Sequence, residues 1–422
     1  IPSPISWRIA SRPHHFFTFQ GVTIKVMQQK NTQRKVVPQR TPILILACIV
    51  VVALGAYMVY YYLNQPRLSD QELRQQLGQM LLVGFRGTEA SETSTIARNV
   101  KDLHLGGVIL YDIDVPSGRT FPRNIVDPEQ TRQLIADLQR SATTPLLVAA
   151  DIEGGKVNRL KPKYGFPELP SAAEMGKLGP EKTRQIATDL ARELADLGIN
   201  FDFAPVVDLN INPDNPVIGA LGRSFSDDPA TVVSCAGAFV QGLHSQRIIA
   251  CLKHFPGHGS STADSHLGMV DVTSTWRTTE LIPYRDLIQQ GLADAVMTAH
   301  VINQEIDPDF PATLSNNFIE PILRKQLLFK GPVISDDLEM GAITQNYGFE
   351  EALIQAVNAG CDLLILSNNG SSYDDGVAAR AIETLYQAVQ AGKISKIRIV
   401  QSFERIRQLK ADLGLVPIIQ SP

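Results

Sequence analysis

Beyond residue 69 the chain repeats one pattern eight times: a short apolar run bounded by turn residues, alternating with longer stretches of helical periodicity. The runs are 80–85, 107–111, 146–151, 201–208, 248–254, 295–301, 333–336 and 362–366. Amphipathic stretches at 127–140, 180–197, 229–246, 279–291, 317–327, 349–359 and 377–391 lie among them. Apolar runs separated by helices imply parallel strands joined by crossovers. Eight of them predict an α/β fold of the (β/α)8 TIM-type barrel class rather than an open doubly wound sheet. The polar, Pro-containing stretch 112–124 reads as a long loop above the barrel. No GxGxxG follows a strand and no GxxxxGK[ST] occurs, so nucleotide-binding folds lack their signature.

Charge divides the chain in two. The first 69 residues carry eight cations (Arg8, Arg12, Lys25, Lys30, Arg34, Lys35, Arg40, Arg67) and no carboxylate, leaving 31 basic against 43 acidic residues in the rest. Residues 43–63 form an uncharged apolar run. A helix of that length spans about 31 Å, close to the hydrocarbon thickness of a bilayer. Seven of the eight cations precede it, so the positive-inside rule places the N-terminus in the cytoplasm and exports the remainder of the chain to the periplasm or cell exterior. The expected organisation is a basic tail (1–42), a transmembrane anchor (43–63), a linker (64–69), a catalytic barrel (70–415) and a short C-terminal tail (416–422). A cleaved signal with Ala53-Leu54-Gly55 as its small-x-small site is the competing reading. The chain opens on Ile1, and Met27 is the expected natural start, residues 1–26 being a translation artefact. An overall pI near 6.1 argues against a nucleic-acid partner. Four cysteines without CxxC spacing exclude zinc-ribbon and thioredoxin-like readings.

In such a barrel the C-terminal ends of the strands face the active site. Those ends carry Asp151 with Glu153, Asp208, Lys253 with His254, His300, and Asp336 with Asp337. Four histidines (His254, His258, His266, His300) gather at the fifth and sixth strand ends and the loop after the fifth. Within 253–266 Phe-Pro-Gly turns the backbone and small residues come after it, which predicts a mobile loop. Asp264 and His266 flank one serine; in an extended segment they share a face, so the carboxylate orients and charges the imidazole as a proton donor. Asp336, at the exit of a buried strand, is held over the cavity, and a carboxylate so held could act as a nucleophile if placed against an anomeric carbon. Asp337 reads as a helix N-cap.

KHFPGHG followed by DSH, together with DIEGGKVNRL (151–160), GRSF and ISDDLEM, resembles glycoside hydrolase family 3. The similarity is greatest to its single-domain β-N-acetylglucosaminidases. It covers about residues 70–415, in the right order. The resemblance implies a retaining mechanism without metal or cofactor, acting on terminal β-linked N-acetylhexosamine of cell-wall (peptidoglycan) fragments. By position it assigns Asp336 as nucleophile, His266 as acid/base and Asp264 as its partner. Asp151, Arg159, Arg223, Lys253 and His254 match residues that hold the sugar. Lys156 and Asn158 stand where arginine and glutamine are common. A β-glucosidase or another glycosidase of the family remains the nearest alternative. Readings of other classes are a metallohydrolase on His254, His258, His266 and Asp336, a Lys253 Schiff-base lyase, and an anchored sugar-binding protein without turnover.

Overall fold

Each of the eight apolar runs contributes one barrel strand: β1 (Leu81–Gly84), β2 (Gly107–Ile109), β3 (Leu147–Ala150), β4 (Phe201–Asp202), β5 (Ile249–Phe255), β6 (Ala295–Thr298), β7 (Val333–Ile334) and β8 (Leu364–Leu366). The computed structural model describes residues 46, 49–53, 55, 66–412 and 414–416. All neighbouring strands are parallel, in the order β7-β6-β5-β4-β3-β2-β1-β8. The ring nearly closes. β7 and β8 meet through the Ile334–Leu363 bridge, continued by Ser335 N–H on Leu363 O (2.9 Å) and Leu338 N–H on Ile365 O (3.1 Å). The strands are buried on both faces, which explains why they read as continuous rather than alternating apolar runs.

Helices cover the barrel, and their ends follow from capping chemistry. Asp127 and Asp228 accept backbone N–H bonds at the starts of Pro128–Ser141 and Pro229–His244, each with Pro in the first turn. Pro180–Leu197 ends at Gly198 in the left-handed region. It packs so closely on Pro229–His244 that a Cβ at Gly242 would lie 2.4 Å from that of Ala187. Helices Asp70–Gln79, Thr95–Asp102, Ala172–Leu178 and Lys396–Asp412 add to those expected. The last one supports the closure. Asp362, at the foot of β8, accepts hydrogen bonds from Arg324 (2.7 Å), Arg398 (2.9 Å), Arg405 (3.1 Å), Ser402 (2.9 Å) and the N–H of Val333 (3.0 Å).

Two strands and one helix depart most from their hydropathy pattern. β4 stops at Asp202, near Pro205, which has no N–H for the ladder, and its pairing continues as single bonds and a Val206–Lys253 bridge. The 295–301 run divides: its first part is β6, and Val301–Ile302 pairs with Val270–Asp271 outside the barrel. The 317–327 helix is Asn316–Phe318 followed by a looser turn, Ile319–Gln326, around Pro321, and Leu327 N–H reaches five residues back to Ile322 O.

The basic tail 1–42, with the Met27 start, lies outside the described residues, as do most of the 43–63 run and residues 417–422. Residues 46, 49–53 and 55 of that run are helical. Among the described residues no helix is long and apolar enough to cross a membrane.

Candidate active site

Opposite charges alternate across the C-terminal rim of β3 to β5. Beyond β3 the chain folds into a small antiparallel hairpin, Ile152–Gly154 with Val157–Asn158, which returns Arg159 to Asp151. Arg159 Nη2 donates to Asp151 Oδ2 at 2.8 Å. On β5, Lys253 Nζ lies 2.9 Å from Asp151 Oδ1 and 2.6 Å from Glu153 Oε1. Glu153 in turn takes a bidentate pair from Arg223, both bonds 2.7 Å. Arg223 Nη2 is 3.3 Å from His254 Nε2, and His254 Nδ1 is 2.7 Å from Asp208 Oδ2. Burial by itself raises the carboxyls of Asp151 and Glu153. The adjoining cations outweigh it: Lys253 and Arg159 hold Asp151, and Arg223 and Lys253 hold Glu153, below the usual carboxylate range. Burial likewise opposes the Lys253 ammonium, but Asp151 and Glu153 raise it above its ordinary value. A lysine held so firmly protonated is a poor Schiff-base nucleophile, which weighs against the lyase reading.

Asp336 stands just past β7. Burial pushes its carboxyl up, yet the imidazoles of His300, His254 and His266 hold it below the ordinary value, so it is an anion at neutral pH. His300 is buried between Thr313 Oγ1 (2.9 Å) and the carbonyl of Asp337 (2.8 Å). Asp337 does not cap a helix, contrary to expectation. Its Oδ1 accepts from the N–H of Ser367 and of Glu339, both 3.1 Å, lashing the β7 exit to that of β8, and burial pushes its carboxyl up to about 7. His258 also departs from the catalytic set. Its nitrogens meet Ser261 Oγ (2.7 Å) and Ser265 Oγ (3.2 Å), and burial lowers it to about 4. It braces the loop. Among the described residues, no three His, Cys, Asp or Glu side chains are grouped to hold a metal ion.

Asp264 and His266 do pair, though not through an extended segment. The chain turns there, with Leu267 N–H on Asp264 O (3.0 Å), and one carboxylate oxygen accepts both the backbone N–H (2.8 Å) and Nδ1–H (2.7 Å) of His266. That leaves Nε2 for a substrate. The ring stands at the surface, 62% exposed.

All eight residues singled out in the sequence (Asp151, Arg159, Arg223, Lys253, His254, Asp264, His266, Asp336) border a single cavity of about 420 Å³. Sequence reasoning missed Glu153 as a site member, although its place two residues beyond Asp151 at a strand end was a signal. It also missed Val115 and Asn369, which line the cavity from distant loops and have no local signature. A larger hollow of about 760 Å³, bordered by His244, Asp294, Lys330 and Arg405, lies at the opposite rim and contains none of these groups.

Comparison with known proteins finds a matching family and relatives. The family described as "Glycosyl hydrolase family 3 N terminal domain" matches residues 72–409. A Beta-hexosaminidase of Tolumonas auensis is 41% identical over 276 residues, covering 63% of this chain and 76% of its own. Beta-hexosaminidase LpqI of Mycobacterium tuberculosis is 34% identical over 350 residues, 80% of this chain and 82% of its own. Among solved structures, a glycoside hydrolase family 3 beta-N-acetylglucosaminidase from Paenibacillus sp. str. FPU-7 superposes with a TM-score of 0.74 at 36% identity, over 84% of this chain and 65% of that one.

Proposed function

The chain belongs to glycoside hydrolase family 3, and from that premise we propose that it is a retaining exo-β-N-acetylglucosaminidase working through a covalent glycosyl-enzyme. The observation that carries this reading is the meeting of an ionised Asp336 and an Asp264-bound His266 on one cavity whose other wall is a lattice of fixed charges. That lattice suits a polyhydroxylated sugar, since its donors and acceptors are held in place before the ligand arrives.

In the first step an Asp336 oxygen bonds to the anomeric carbon as the bond to the leaving oxygen breaks, and His266 Nε2 gives its proton to that oxygen. In the second, neutral His266 takes a proton from water, the water oxygen bonds to the anomeric carbon, and Asp336 leaves as carboxylate. Retaining enzymes ordinarily use two carboxyl groups about 5–5.5 Å apart; here the imidazole stands in for the second. Because a neutral imidazole repels an anion less than a carboxylate does, phosphate is a conceivable acceptor in place of water.

The proposed substrates are cell-wall fragments, and the proposed location is a membrane anchored through 43–63, with the catalytic unit outside the cytoplasm. The uncharged run and its basic flank support this placement.

The test is a panel of aryl β-glycosides with the intact protein. Turnover of the N-acetylglucosaminide, lost in Asp336→Ala with the fold retained, is expected. Preference for the glucoside would make it a β-glucosidase. Binding without turnover would make it a sugar-binding protein.

A further inference from the structure

In the turn that carries His266, Ser265 is buried against His258 (3.2 Å), but the two side chains after it stand in solvent. His266 and Leu267 are 62% and 75% exposed, so apolar packing does not determine where the imidazole stands. Its place is set by hydrogen bonds to a segment elsewhere in the chain. The carbonyls of three consecutive residues each accept one: Ser265 O from Ala342 N–H (3.1 Å), His266 O from Gly341 N–H (3.3 Å), and Leu267 O from Gln345 Nε2 (2.9 Å). The clasping segment, Gly341–Thr344 and the residue after it, comes soon after β7 and Asp336. It is itself anchored to β8 through Asp337 and Leu338. One continuous stretch of backbone therefore carries the nucleophile and grips the proton donor. The fit is tight at one point: a Cβ on Gly341 would lie 2.5 Å from His266 O and 2.9 Å from Gln345 Nε2.

We propose that Gly341 and Gln345 are positioning residues for the acid/base, setting the gap between His266 Nε2 and Asp336 by holding the turn from its backbone side. The proposal rests on His266 as acid/base and Asp336 as nucleophile. Proton donation depends steeply on geometry, and a misplacement of about 1 Å can cost roughly a hundredfold in rate. Only leaving groups that need the proton feel the loss.

The experiment compares kcat/KM, which reports the step up to glycosyl-enzyme formation, for two substrates. Phenyl β-N-acetylglucosaminide needs the proton, and the 2,4-dinitrophenyl analogue departs without it. Gln345→Ala, an exposed position that should not disturb folding, is expected to lower the phenyl value about fivefold, the worth of one ordinary hydrogen bond. Gly341→Ala should lower it by roughly a hundredfold. The dinitrophenyl value and the thermal midpoint should stay unchanged for Gln345→Ala. His266→Ala, run in parallel, should show the same split more strongly. If it shows no split, the acid assignment fails and the proposal with it. If His266→Ala splits while Gln345→Ala loses both substrates equally, or neither, the positioning role alone is overturned.

Discussion

Asp336 and Lys410 show buried charge handled in opposite ways. Asp336 is surrounded by imidazoles that favour its anion, so it must remain ionised to pH values below the ordinary carboxylate range. The acid limb of the kcat/KM profile attributable to Asp336 as the proposed nucleophile should therefore fall below that range; a limb near pH 6 would contradict the assignment. Lys410 is 1% exposed, among the described residues Gln79 Oε1 (2.8 Å) is its partner, and burial brings its ammonium from the ordinary 10.5 down to about 7. The unfolded chain keeps that proton up to about 10.5 and the folded chain releases it near 7, so this group makes the fold more stable as pH rises between the two. Lys410→Met should abolish that slope in urea-unfolding titrations. The site itself was legible at this scale because strand tips bring polar residues to one rim. Asp151, Lys253 and Asp336 could be read from their place at the ends of apolar runs. The turn joining Asp264 to His266 could not, since a hydrogen bond between a side chain and nearby backbone leaves no periodicity.

Among elements, the runs in the sequence located all eight strands but not their ends. Hydropathy registers burial and not the ladder, so β4 stops short of Pro205 while the apolar run carries on. The closure is where the pattern is least informative. β7 and β8 are short and meet through few backbone bonds, and the structure compensates with Asp362 and the three guanidiniums around it. Burial raises that carboxyl, but Arg398, Arg324 and Arg405 hold it below its usual value. Asp362→Ala strands three cations at the seam and should cost about 3–5 kcal/mol in chemical denaturation. A loss below about 1 kcal/mol, the range of an ordinary surface pair, would mean the seam is held by packing alone.

At the level of the whole molecule, every residue bordering the candidate cavity falls between Ile109 and Asn369, inside the family match of 72–409. A chain lacking residues 1–65 should keep its kcat/KM on an aryl N-acetylglucosaminide. On the anchored reading, it should also move from the detergent-extracted to the freely soluble fraction. Loss of activity on truncation would show that the first segment contributes to the site.

The run of ions from Arg159 through Asp151, Lys253 and Glu153 to Arg223 ties each member to an oppositely charged neighbour, with Arg159 Nε left as a spare buried donor. On the proposed reading, a sugar entering it meets groups already held in place and lays its hydroxyls along them. Removing one such group strands its neighbours, so the inner wall resists piecemeal redesign. Natural drift and laboratory evolution alike should find their room at the mouth, where Lys156 and Leu267 face solvent and can change without unsettling anything below them.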